Sequence, residues 1–480
     1  MTAQASTTPA SLRTLDALPG PRGWPLIGNL LEVELPRLHL VLERWREQHG
    51  DLYQARLGPI RLLVVSDPEL YRRVFLDRPE RFRRMHSMEE VARELGMHGL
   101  FSAEGADWKR QRKLILPAFR DENLAAAFPV LRMITERLVH LFEREAARGE
   151  PIDVLHHLMR YTVDVMAAVA FGLDMNTLEG GRPGGTAQLQ QHFEVIFPMI
   201  LRRVNAPFPY WRYFKLGADS ALDRALVGAR TLVLPIVENA RAELAKDPSA
   251  QHRTLLHAMI ATADESDGTK LSNEELVANV FTLLLAGEDT TANTLAWMFY
   301  FLAGHPEAQA KVLAEAQSVL GDGTTLSAHA DAGKLRAVGA AAHETLRMKS
   351  PAPFISLEAT IDTQVGDVHV PRGTAVFVLT RPAAMHADNF SAPERFQLER
   401  WLGADGEAAR DTQDKLRSSL PFGAGPRVCP GRQLALLECA LSMSAVVKRF
   451  ELSLPPGLVV QERFDFAMEP EGLRVTMRAR

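Results

Sequence analysis

Apolar positions follow a helical period over most of the chain. From Pro68 to about residue 350 they recur every three to four residues, in runs broken by Gly, Pro and polar clusters. These runs predict helices over 123–148, 154–171, 221–246, 254–263, 272–304, 306–320 and 334–348, after an earlier one over 38–48. Strand-like stretches sit near the two ends. Residues 52–57 and 60–65 predict a hairpin turning at Gly58-Pro59. Residues 368–370 and 375–378 flank a turn at Pro371-Arg372-Gly373. A last hairpin is expected between 464–468 and 473–477, turning at Pro470-Glu471-Gly472. The expected fold class is therefore mainly α with small β-sheets.

The run 272–304 is the longest. Ser272 with Glu275 forms a capping-box start, and Gly304 with Pro306 marks the end. At ~1.5 Å per residue the helix would reach about 50 Å, enough to cross the molecule. Its centre reads Ala286-Gly287-Glu288-Asp289-Thr290-Thr291. Two acids and two threonines inside an apolar helix are costly unless they serve a purpose. Their plain alternative is a solvated stripe on a surface helix.

The strongest chemical feature is the loop Pro421-Phe422-Gly423-Ala424-Gly425-Pro426-Arg427-Val428-Cys429-Pro430-Gly431-Arg432. Its glycines and prolines make a shaped loop, and an apolar helix begins directly after it. A cysteine before a helix start meets free N–H groups and the helix dipole, which lower a thiol's pKa and favour the thiolate. Such a thiolate, with Arg427 and Arg432 beside it, suits an axial ligand to a large anionic cofactor. The plain alternative is a structural cysteine.

Composition narrows the classes. Two cysteines among 480 residues exclude a disulfide scaffold and fit a reducing compartment. A formal charge of −4 gives no reason to expect nucleic-acid binding. No run reaches the ~18 apolar residues of a membrane span, and no signal peptide is visible, so no transmembrane anchor and a cytoplasmic location are expected. Residues 180–185, Gly-Gly-Arg-Pro-Gly-Gly, lack the strand and the Lys of a phosphate loop and read as a connector. No interior linker stands out. One domain over 18–480 is expected, after a loose segment 1–17 rich in Thr, Ala and Ser.

Phe422, Gly425, Arg427, Cys429, Gly431 and Ala435 match F-x-x-G-x-R-x-C-x-G-x-x-x-A, which resembles the haem-binding loop of the cytochrome P450 family. The resemblance implies that Cys429 is the thiolate ligand of haem b (iron protoporphyrin IX), the kind of ligation that pushes electron density toward O–O cleavage. Phe422 would pack beside the sulfur, and Arg427 would pair with a propionate. Residues 286–291 resemble the family's oxygen-activating groove. Ala286 would lie against the haem and Gly287 would open the helix above the iron. Asp289 and Thr290 would form the acid–alcohol pair that relays protons. By helical spacing Glu288 points elsewhere.

Trp108 and Arg112 resemble the family's W-x-x-x-R, both reaching a propionate. Lys109, Arg110 and Lys113 beside them suggest a basic patch for an acidic electron donor. Glu344 and Arg347 resemble its E-x-x-R pair. Aligning Phe390, Pro393 and Phe396 with the family phrase makes Arg400 the third member, with Arg395 as second choice and Leu398 departing from the usual proline. Leu357-Glu358-Ala359 stands where many members carry an arginine.

The resemblance implies haem between the long central helix and the cysteine-loop helix. It implies a monooxygenase that inserts one oxygen atom of O₂ into an apolar small molecule by hydroxylation or epoxidation. Electrons would come from an external ferredoxin or flavoprotein. A peroxide-dependent haem-thiolate enzyme and a non-catalytic haem sensor remain alternatives. Expected pocket walls are 97–101, 193–201, 283–290 and 353–356.

Overall fold

The computed structural model describes residues 12–181, 185–206, 208–403, 409 and 411–480. Residues 1–11 of the expected loose segment, and 182–184 of the expected connector, lie outside the described residues. Arg13 pairs with Asp367 at 2.7 Å, and Leu15 is buried, so the chain is already anchored there.

Helices occupy most of the chain, and local chemistry sets their ends. The central helix runs Asn273–Gly304. Its Ser272 hydroxyl accepts from Glu275 N at 3.2 Å, while the Glu275 carboxylate accepts from Ser272 N at 2.8 Å. Asp153 caps Val154–Phe171, which stops at the left-handed Gly172. Val154–Phe171 packs along the central helix. Pro306–Leu320, Arg336–Met348 and the cysteine-loop helix Arg432–Arg449 complete the frame around it.

The strands are β1 (Leu52–Leu57), β2 (Ile60–Val65), β3 (Phe82–Arg84), β4 (Phe354–Ala359), β5 (Thr363–Val365), β6 (Val368–Val370), β7 (Ala375–Leu379), β8 (Phe450–Ser453), β9 (Gln461–Phe464), β10 (Met468–Glu471) and β11 (Thr476–Ala479). Five of them form one sheet, in the order β1-β2-β7-β4-β3. Leu52 pairs with Val65 and Leu57 with Ile60, the expected hairpin. β2 and β7 pair in parallel, so the helical bulk lies in the crossover between them. Leu63 and Val65 enter one apolar cluster while Leu62 and Val64 enter another, so both sheet faces are covered.

Two strand pairings differ from expectation. β6 folds back on β5, whereas β7 joins the five-stranded sheet, so the turn at 371–373 links two sheets. β7 is buried on both faces and takes a neighbour on each side. At the end of the chain β9 pairs with β10 and β11 with β8, so residues 464–468 and 473–477 form no hairpin. Apolar alternation marks each strand but does not specify its partner.

Candidate active site

The thiol sits at the floor of a cavity of about 300 Å³. Its loop is built as the Gly/Pro pattern suggests. Cys429 N donates to Phe422 O at 3.0 Å, closing the loop across six residues. Gly425 has φ +67°, and a Cβ there would lie 2.6 Å from the Phe75 carbonyl. That glycine therefore accommodates the helix Pro68–Leu76 rather than a cofactor face.

Trp108, Arg112, Ala286, Gly287, Thr290, Phe422, Arg427, Cys429, Gly431 and Ala435 all line this one cavity. Gly425 and Asp289 are not in its wall. The rest of the lining is mainly apolar, with Leu100, Phe101, Leu283, Ile355 and Phe466 on the side of the central helix and the strands. Three of the four expected walls contribute, whereas 193–201 does not: Phe193 packs edge-on against Phe281 at 5.6 Å in the helical core.

Electrostatics correct one expectation. Burial raises the Cys429 thiol above its ordinary pKa. The N–H groups of Gly431 and Arg432 and the charge of Arg112 act downward but do not win. Cys439, about two turns into the helix Arg432–Arg449, is buried, and its thiol is raised by burial and by Glu438.

Asp289 is pushed up to about 6 by burial and then by Asp465. Glu288 is pushed up to about 8 by burial, then by Asp289 and Glu194. The Thr290 hydroxyl donates to Ala286 O at 2.7 Å, and that of Thr294 to Thr290 O at 2.8 Å. These back-bonds load the carbonyl ladder at the groove.

The edge of the cavity is strongly cationic. Arg427 reaches Ala103 O at 2.7 Å and Glu104 at 2.5 Å, and stacks over Trp108 at 4.2 Å. Burial brings its guanidinium down to about 9. Arg112 donates to Val428 O at 3.1 Å. Two further arginines, Arg78 and Arg84, stand in the same wall and were not anticipated. Arg84 sits 3.7 Å over the Phe101 ring. Sequence offered little sign of them, since their segment carries many arginines and only the fold selects two. Nε and Nη1 of Arg427, and Nε and Nη2 of Arg78, are buried without a partner. Such donors call for anionic acceptors from a cavity occupant.

Away from the cavity, Glu344 is wholly buried and gathers donors. Arg347 Nε and Nη2 reach it at 2.8 and 2.9 Å, Arg400 Nε at 3.1 Å, Gln397 N at 3.1 Å and Trp401 Nε1 at 2.8 Å. Arg395 is exposed, 3.9 Å from Glu394. Trp401, one residue past Arg400, is the member sequence reasoning left out. The expected basic patch is neutralised: Lys109 meets Glu80 at 2.7 Å, Lys113 meets Asp264 at 2.6 Å, and Arg110 pairs with Asp107 and Glu275. Glu358, in the place of the family arginine, meets Arg83 at 3.2 Å.

A thiol, a threonine-bearing helix and guanidiniums with unpartnered nitrogens around one mainly apolar cavity suit an anionic cofactor. Comparison then places it: the Cytochrome P450 family model matches residues 18–477, and the chain belongs to that family. It is a haem-binding monooxygenase, an oxidoreductase. It is 29% identical to cyclooctatin synthase of Streptomyces melanosporofaciens, over 95% of this chain and 94% of that one. It is also 29% identical to cyclooctat-9-en-7-ol 5-monooxygenase of the same organism, over 95% and 93%. The crystal structure of the cytochrome P450DA haem domain superposes with a TM-score of 0.84 at 24% identity, covering 98% of this chain and 99% of that one. Among the described residues no helix is long and apolar enough to cross a membrane.

The residues present fit haem. Its two carboxylates would answer the unpartnered donors of Arg427 and Arg78, and its iron would meet the Cys429 thiol, which is exposed in the cavity wall.

Proposed function

We propose that the chain is a haem-thiolate monooxygenase of apolar small molecules, with haem b held by Cys429. One observation carries the reading: the Cys429 thiol lines the same mainly apolar cavity as Ala286, Gly287 and Thr290 of the central helix. Bound haem supplies the activation of O₂, of which one atom enters the substrate and the other leaves as water. Trp108, Arg112 and Arg427 would hold its carboxylates, with Arg78 beside them. Phe422, Gly431 and Ala435 shape the floor around the sulfur, and Gly425 seats the loop against Pro68–Leu76.

Asp289 holds or releases a proton close to neutral pH, because burial keeps its carboxyl near 6. The Thr290 hydroxyl, now donating to Ala286, turns to pass that proton toward the cavity. Glu344, Arg347 and Arg400 brace the segment before the cysteine loop. Leu100, Phe101, Leu283, Ile355 and Phe466 keep water out and favour a hydrocarbon-rich substrate of terpenoid type, the class that the names of the Streptomyces relatives suggest. Electrons would come from a separate ferredoxin or flavoprotein.

A reduced, CO-bound absorption spectrum tests the ligand. The thiolate-type band is expected in the native protein and absent in Cys429→Ala; a variant that kept it would remove Cys429 from the iron. A ligand screen following the haem spin-state change would then identify the substrate class.

A further inference from the structure

Met166 lies in the helix Val154–Phe171, is 3% exposed, and lines the same cavity as Cys429 and Thr290. Its thioether occupies the place of a side chain at Gly287. A Cβ built there would lie 2.4 Å from Met166 Sδ and 2.7 Å from its Cγ. The glycine of the groove is therefore packed from behind by sulfur. The chain has 16 methionines, and among the described residues Met166 is the one in this wall. Met385 and Met468 lie against the guanidiniums of Arg347 and Arg381, outside the cavity wall.

We propose that Met166 is an oxidation site served by the enzyme's own chemistry, and that its sulfoxide disables the groove. The proposal rests on the haem-thiolate reading. When electron use is uncoupled, O₂ takes two electrons and two protons and leaves as hydrogen peroxide. The Met166 sulfur lone pair attacks one peroxide oxygen and the O–O bond breaks. The second oxygen leaves as water after a proton shift. Sulfur is oxidised by two electrons and peroxide is reduced by two. The product places a polar, enlarged group against Gly287, where not even a Cβ fits. The enlarged group displaces the groove backbone at Gly287, and uncoupling grows.

The experiment uses the haem-loaded full chain with a surrogate electron donor and no substrate, followed by peptide mass mapping. One added oxygen atom is expected on the peptide bearing Met166 before the other methionines. Coupling should fall several-fold, measured on return of substrate, while the haem absorbance persists. Met166→Leu should lose coupling several-fold more slowly under the same peroxide exposure. Native Met166 still unoxidised when coupling has fallen, or a Leu variant failing at the native rate, would overturn the proposal. Absence of the thiolate-type CO band would instead overturn the haem-thiolate reading beneath it.

Discussion

Glu288 was assigned no role by spacing, and the structure gives it an energetic one. Its carboxyl is raised to about 8 by burial and by the neighbouring Asp289 and Glu194. An unfolded glutamate titrates near ~4.3, so the folded state binds the extra proton between roughly pH 4.5 and 8. Stability is then full below that window and is lost as pH rises through it. Glu288→Gln should melt with the native protein near pH 4.5 and a few degrees above it at pH 8. Equal melting temperatures across the range would contradict the burial. Gly287 makes a second case. Alanine there gains about 1 kcal/mol of helix propensity but overpacks Met166, at a cost of about 1–3 kcal/mol. Gly287→Ala should destabilise the native chain in denaturant melts and do so less in a Met166→Ala background, because the clash is with that side chain. Thr290→Ala should divert electrons from product to peroxide several-fold; unchanged coupling would remove its hydroxyl from proton transfer. Cys429, Thr290 and Arg427 were legible because their spacing is itself the geometry: a loop, a helix turn and a helix start. Arg78, Arg84 and Met166 were not. Nothing local marks an arginine or a methionine whose importance is the empty space facing it.

At the level of elements, helices were legible and strand partners were not. The ends of the central helix follow from Ser272, Glu275, Gly304 and Pro306, which act within a few residues of themselves. One of the two partners of β7 is β2, more than three hundred residues away, and no local pattern reports it. The segment that joins the strands to the cysteine loop depends on Glu344. Its carboxylate holds two buried guanidiniums and the Trp401 N–H. Removing the acid leaves both cations uncompensated, at a cost of about 3–5 kcal/mol. Glu344→Ala should therefore unfold at much lower denaturant and retain little haem. Arg395→Ala, on an exposed residue, should melt like the native chain. Comparable losses in both variants would undo the choice of Arg400 over Arg395.

The whole molecule is built from a large helical core and two smaller clusters on the faces of the five-stranded sheet. The cavity lies where they meet. Trp108, Ile115, Met166 and Leu434 come from the helical core, whereas Phe75, Ile355, Leu420 and Ala424 come from one sheet cluster, and all of them line it. Both bodies thus contribute apolar walls to one cavity, whose edge carries the unpartnered guanidinium nitrogens of Arg78 and Arg427. An occupant that binds only the folded state adds RT ln(1 + [L]/Kd), about 4 kcal/mol at a thousandfold excess over Kd. Here that energy is released only when both walls are in place, so haem should act as the joint between them. Calorimetry of the haem-loaded protein should show one cooperative transition. Haem-free protein should melt lower and in separate steps, with the amides of β4 and β7 exchanging before those of the central helix. A haem-free chain that melts in the same single transition would show that the cores are already joined through their direct contacts.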